Sequence, residues 1–228
     1  MLVGSAVFVI PTIKPIYFKL SLTFSGAYLF TLTLVHILPE LFAESSSPFQ
    51  VGIFVVAGFL MQVLLDFFTE GVEHGHFHTH KLNTKTLLAA LFVHALLEGT
   101  LLSHPSHAHE SGETHSLLFG IVVHKIPEAF AFASVLLLQL GKKSYVFLLI
   151  FIFSLATPIG ILLTNYLNVQ QVISLQFTQF LLGIVAGNFL HISTTIFFET
   201  SPEHQFNGRR LLFIFLGVAL AIFSEGMM

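Results

Sequence analysis

Between Leu117 and Leu140 the chain reads LLFGIVVHKIPEAFAFASVLLLQL, an apolar run long enough to cross a bilayer as a helix at about 20 residues per span. His124, Lys125 and Glu128 interrupt it. Hydrocarbon penalises ionisable groups, so those found inside spans mark ion pathways, proton relays or ligand sites. An imidazole and a carboxylate one helical turn apart, with Pro127 between them, predict a metal-binding helix in the wall of a transport pathway.

The rest of the chain has the same texture. Apolar runs occupy 20–42, 49–68, 86–102, 145–166, 175–198 and 211–224, that at 145–166 carrying a Thr157-Pro158-Ile159-Gly160 break. Leu2 to Pro11 is too short to cross alone at 1.5 Å per residue. The expected fold class is therefore all-α: a polytopic membrane helical bundle of seven full spans plus a short N-terminal helix, forming one domain over 1–228. Only 9% of the 228 residues are charged, against about a quarter in a soluble domain. The absence of Cys removes disulfides, thiolate metal sites and cysteine nucleophiles. The first apolar run lacks a basic n-region, so no cleavable signal peptide is expected.

The basic residues orient the bundle. Lys14 and Lys19 precede the first full span, Lys81 and Lys85 lie two crossings later, Lys142 and Lys143 two further on, and Arg209 and Arg210 two beyond those. All eight fall on one side, and the ninth is Lys125 inside the central helix. The positive-inside rule makes that side cytoplasmic and the C terminus extracytoplasmic. The expected location is a bacterial inner (plasma) membrane.

A local signature recurs three times: Val35-His36…Pro39-Glu40, Val93-His94…Glu98 and Val123-His124…Pro127-Glu128 share V-H-x-x-x-E. His94 with Glu98, and His124 with Glu128, each present an imidazole and a carboxylate on one helical face. Two such helices facing each other make a two-His, two-carboxylate site. That donor set suits Zn²⁺ and also accepts Fe²⁺, Mn²⁺, Co²⁺ or Cd²⁺. Lys125 either neutralises part of the carboxylate charge when metal is absent, fills the position of a second cation, or faces a water-filled cleft. In each case it disfavours a carboxylate-bridged pair of metals.

Accessory candidates flank this set. His36 and Glu40 lie near the outer end of their span, as an entrance, a completion of the coordination shell, or a plain interhelical contact. Asp66 and Glu70 point to a release route at the cytoplasmic end, alongside Glu73. His191, Thr195 and Glu199 form a second stripe at one- and two-turn spacing. His74, His76, His78 and His80 form a cytoplasmic loop cluster over 74–80; His104, His107, His109 and His115 form an outer one over 104–115. Such loops bind borderline metals loosely.

No phosphate-binding loop, dinucleotide fingerprint, H-E-x-x-H or Gly-x-Ser-x-Gly motif is present, and no basic patch suits nucleic acid. The chain is expected not to be an enzyme and to hold no fixed cofactor. Its expected partners are divalent metal ions and membrane lipid, with a homodimer as the candidate assembly. Two other function classes use the same donors: an intramembrane zinc hydrolase with Glu128 or Glu98 as base, and a non-transporting metal sensor.

Taken in order, these segments resemble the ZIP family of zinc and iron transporters. The His36-Ile-Leu-Pro39-Glu40 end is similar to the family's second span, and the acid-ended span with its His-rich loop to the third. Val93-His94-Ala95-Leu-Leu-Glu98-Gly99 resembles the fourth and His124-Lys125-Ile-Pro127-Glu128-Ala129 the fifth. Ser154 through Gly160 resembles the sixth, and Gly187-Asn188-Phe-Leu-His191 through Glu199 the seventh. The resemblance implies eight helices with both termini outside, divalent-metal uptake into the cytoplasm, and a core ligand set of His94, Glu98, His124 and Glu128. Ala95 stands where many members have Asn or Asp, and Lys125 where binuclear members are acidic, so the resemblance implies a single-metal version.

Overall fold

Within hydrocarbon a backbone must satisfy its own hydrogen bonds, which turns long apolar runs into helices. The computed structural model describes residues 1–8, 15–69, 72, 83–103, 111–199 and 208–226, with the side chains of 2, 3, 7, 15, 111–115, 198 and 199 left aside. Every regular element among them is helical. Helix α1 (Leu2–Ser5) runs into a 3-10 turn, Ala6–Phe8. Then come α2 (Pro15–Leu32), α3 (Leu38–Glu44), α4 (Pro48–Thr69), α5 (Thr84–Leu101), α6 (Ser111–Leu140), α7 (Lys143–Ser154), α8 (Ala156–Val169), α9 (Leu175–Glu199) and α10 (Gly208–Gly226). Among the described residues, 6 helical segments are long and apolar enough to cross a membrane. Helix α10 adds 19 residues, about 28 Å at the usual rise.

Two prolines shape these helices differently. Between α2 and α3 the chain keeps winding through a π turn, Thr33–Ile37, closed by the Leu38 N–H bonding to the Thr33 carbonyl five residues back. Pro39 cannot donate to the Val35 carbonyl and its ring crowds that turn. Widening the turn keeps the helix continuous and sets His36 on the widened loop of backbone.

The second case moves an expected break. The span at 145–166 is one crossing segment, Lys143–Val169, built of two helices, and the interruption falls at Leu155 rather than within Thr157–Gly160. Pro158 lacks the donor for the Ser154 carbonyl and restricts the residue before it, so its disturbance appears one turn upstream. The central helix also begins at Ser111, not Leu117, because a polar helix end carries no apolar signal.

Close backbone approach fixes the helix pairs. A Cβ at Gly58 would collide with the Ile184 carbonyl and one at Gly187 with the Val55 carbonyl, so α4 and α9 meet backbone to backbone. Gly99 and Gly160 play the same part for α5 and α8, each facing a carbonyl of the other helix, Thr157 and Leu96 respectively. Small residues at helix crossings allow this dense contact where lipid supplies no hydrophobic drive.

Two apolar clusters lie along the bundle. One gathers Leu87, Leu91, Phe132, Leu136 and Ile150; the other gathers Tyr28, Leu29, Leu101, Leu117, Ile121 and Phe189. Along both α5 and α6, residues 94–98 and 124–128 fall between these clusters. The polar layer is therefore capped by apolar side chains above and below.

Gly160→Ala is expected to destabilise the protein by about 3 kcal/mol or more, since overpacking here meets backbone rather than a flexible side chain. Gly52→Ala, whose Cβ would meet nothing nearer than the Phe42 ring edge at 4.0 Å, is expected to leave stability unchanged or slightly raised. Thermal unfolding of the two variants in detergent checks the contrast.

Candidate metal centre

The i, i+4 spacing on α5 places the His94 Nε2 3.1 Å from Glu98 Oε1. Helix α6 faces it with His124 and Glu128, and His94 Nε2 lies 3.9 Å from Glu128 Oε1. The two imidazole rings stand nearly perpendicular, at 80° with centroids 6.2 Å apart. All four side chains are at most 1% exposed. One ligand atom from each falls within 4.8 Å of the other three. Metal–ligand bonds of about 2.0–2.2 Å need tetrahedral ligand atoms roughly 3.4 Å apart, so the four atoms reach bonding distance by small side-chain movements.

Lys125 completes the layer. Its Nζ lies 2.5 Å from Glu98 Oε2 and 2.6 Å from Glu128 Oε2, and 5.2 Å from the centroid of the Phe153 ring. Each carboxylate thus gives one oxygen to the ammonium and turns the other toward His94. With neutral imidazoles the cluster carries one net negative charge. Both ring nitrogens of His124 are buried and make no hydrogen bond among the described groups. A buried polar group without a partner carries a desolvation cost of about 1–3 kcal/mol, which a bound cation would offset.

The accessory candidates separate into two further clusters. His36 sits on the π turn with Nε2 3.6 Å from Glu40 Oε2 and Nδ1 3.1 Å from Glu225 Oε2. Glu225 also accepts a hydrogen bond of 2.5 Å from Ser116 Oγ. Tyr28 donates to the Ser116 carbonyl at 3.0 Å and lies 3.0 Å from Ser224 Oγ. Helices α2, α3, α6 and α10 are tied together here. The sequence named His36 and Glu40 but not Glu225, whose place near the C terminus gave no sign of its partner.

At the other flank, His191 Nδ1 lies 3.3 Å from Asp66 Oδ2, and Gln62 donates to Asp66 Oδ1 at 3.2 Å. Phe59 meets the His191 ring edge-on at 4.9 Å. Asp66 and His191, expected on two separate stripes, are one polar contact between α4 and α9. Thr195 is half-buried one turn further along α9. Glu70, His74, His76, His78, His80, His104, His107 and His109 lie outside the described residues, as do the side chains of His115 and Glu199.

Comparison with known proteins agrees with this architecture. A family model described as ZIP Zinc transporter matches residues 73–225, about two thirds of the chain, including α5 and α6 with the four clustered side chains. The protein zntD of Dictyostelium discoideum is 30% identical over 153 residues, covering 60% of this chain and 22% of that relative's length. The present chain thus corresponds to well under half of that relative. A match running from α5 through to α10 shows the lineage: the chain is an integral membrane protein of the ZIP zinc transporter family.

Proposed function

We propose that this protein carries divalent metal cations, Zn²⁺ foremost, across its membrane into the cytoplasm through the site shared by α5 and α6. The observation that carries the reading is the convergence of His94, Glu98, His124 and Glu128 in one buried layer, with both His124 nitrogens making no hydrogen bond among the described groups. Two imidazoles and two carboxylates form a borderline donor set that binds Zn²⁺, Fe²⁺, Mn²⁺, Co²⁺ or Cd²⁺. Without thiolates, the site is easier to vacate than a closed structural one, as transport requires.

The cargo sits in an occluded layer. Apolar clusters on both sides separate it from either surface, so an ion passes only when one side opens at a time. The cluster of His36, Glu40 and Glu225 marks the outer route and Asp66 with His191 the inner one. A dication moving inward gains about 4.6 kcal/mol per 100 mV of inside-negative potential, so no nucleotide hydrolysis is needed. Lys19, Lys85, Lys142, Lys143, Arg209 and Arg210 share one end of the successive crossings, which the positive-inside rule assigns to the cytoplasm.

Two experiments test this reading. In proteoliposomes at fixed pH and voltage, wild-type protein should show saturable Zn²⁺ uptake. His94→Ala and Glu128→Ala, at matched amounts, should reduce it at least about tenfold, since losing even a group that only orients a metal ligand costs about 10–100-fold. Uptake unaffected by both changes would move the cargo away from α5 and α6. Orientation is checked on the naturally cysteine-free chain with single cysteines. A membrane-impermeant maleimide added to intact cells should label Ser46→Cys and spare Lys142→Cys, and the reverse pattern would invert the topology.

A further inference from the structure

We propose that Lys125 is a tethered counter-cation that gives up Glu98 and Glu128 to an arriving dication and swings into the cavity between α6 and the α7–α8 interruption. This rests on the cargo reading of the α5–α6 site. The ammonium holds Oε2 of both carboxylates, the same two groups a metal needs. An ammonium and a dication crowded onto two buried carboxylates repel each other strongly in a low-dielectric layer.

The lysine has somewhere to go. The ligand side chains are sealed in, whereas the Lys125 side chain is 19% exposed. It opens onto a cavity of about 290 Å³ whose wall includes Lys125, Ile126, Phe153, Ser154, Thr157 and Pro158. The Phe153 ring already lies within cation–π reach of Nζ, at 5.2 Å. Pro158 has no N–H to give the Ser154 carbonyl one turn before it, so the helix interruption leaves an acceptor suited to an ammonium beside that ring. A flexible four-carbon stem with three donors can serve either position.

The two positions make an exchange. In the empty protein Lys125 neutralises the carboxylates; in the loaded protein it stands over Phe153 near Ser154, and its return helps to expel the ion. Lys125 is thereby a positioning residue that sets how tightly cargo is held, while its charge is conserved throughout.

The test is isothermal titration of the purified full chain with Zn²⁺. Lys125→Met should bind about tenfold more tightly, which simple repulsion also predicts; Ser154→Leu separates the two accounts. Leucine narrows the cavity that Ser154 and Lys125 both line, so it should weaken binding at least about fivefold in the wild-type background. In the Lys125→Met background the same change should alter affinity less than about twofold. Equal weakening in both backgrounds, or none in the first, overturns the proposal. Should Lys125→Met not fold, ¹⁵N-lysine NMR decides the matter. The Lys125 side-chain signal, assigned by its loss in Lys125→Arg, should move with a Phe153 ring-current shift on Zn²⁺ loading, and an unmoved signal rejects the swing. His124→Ala binding Zn²⁺ like the wild type would instead place the metal elsewhere and remove the cargo reading together with the swing.

Discussion

Glu98, Lys125 and Glu128 form the interaction on which the rest of the structure depends. Two carboxylates face each other across a layer sealed by apolar side chains, a placement tolerable only with positive charge between them. Lys125 supplies it from the position next to His124, bridging α5 to α6. Breaking a buried pair by removing one partner typically costs about 3–5 kcal/mol, so this contact holds α5 and α6 at their spacing. The same carboxylates remain able to take a metal, because each keeps one oxygen on the His94 side.

The surrounding helices hold that geometry in place. Gly99 lies immediately after Glu98 and lets α8 press backbone against backbone on α5. Helix α5 is thus braced by a neighbour whose Thr157 and Pro158, just past the interruption, line the cavity beside Lys125. On the opposite flank the π turn at Thr33–Ile37 directs His36 toward Glu225, tying the last helix to the second. Strain relief at two prolines and close contact at a few glycines place the charged layer, and the charges then set its chemistry.

Much of this was legible in the residues. The spans follow from apolar runs of membrane length, and the four clustered side chains follow from V-H-x-x-x-E at helical spacing in two neighbouring spans. What the sequence could not supply were partners distant along the chain. Glu225 with His36 and Ser116, and Asp66 with His191, depend on which helices lie side by side, and no periodicity within one helix reports that. Helix boundaries failed where polarity hid them, as at Ser111. The break near Pro158 was seen but placed one turn late, because a missing donor disturbs the carbonyl four residues earlier.

The central claim is that cargo sits between α5 and α6 on two imidazoles and two carboxylates. X-ray absorption at the zinc edge of the loaded, purified protein tests it most directly. The account predicts a nitrogen/oxygen shell at about 2.0–2.1 Å with outer-shell scattering from two imidazoles, falling to one in His124→Ala. A shell of three or four imidazoles, or one unchanged by that substitution, would place the ion on other histidines and contradict the account.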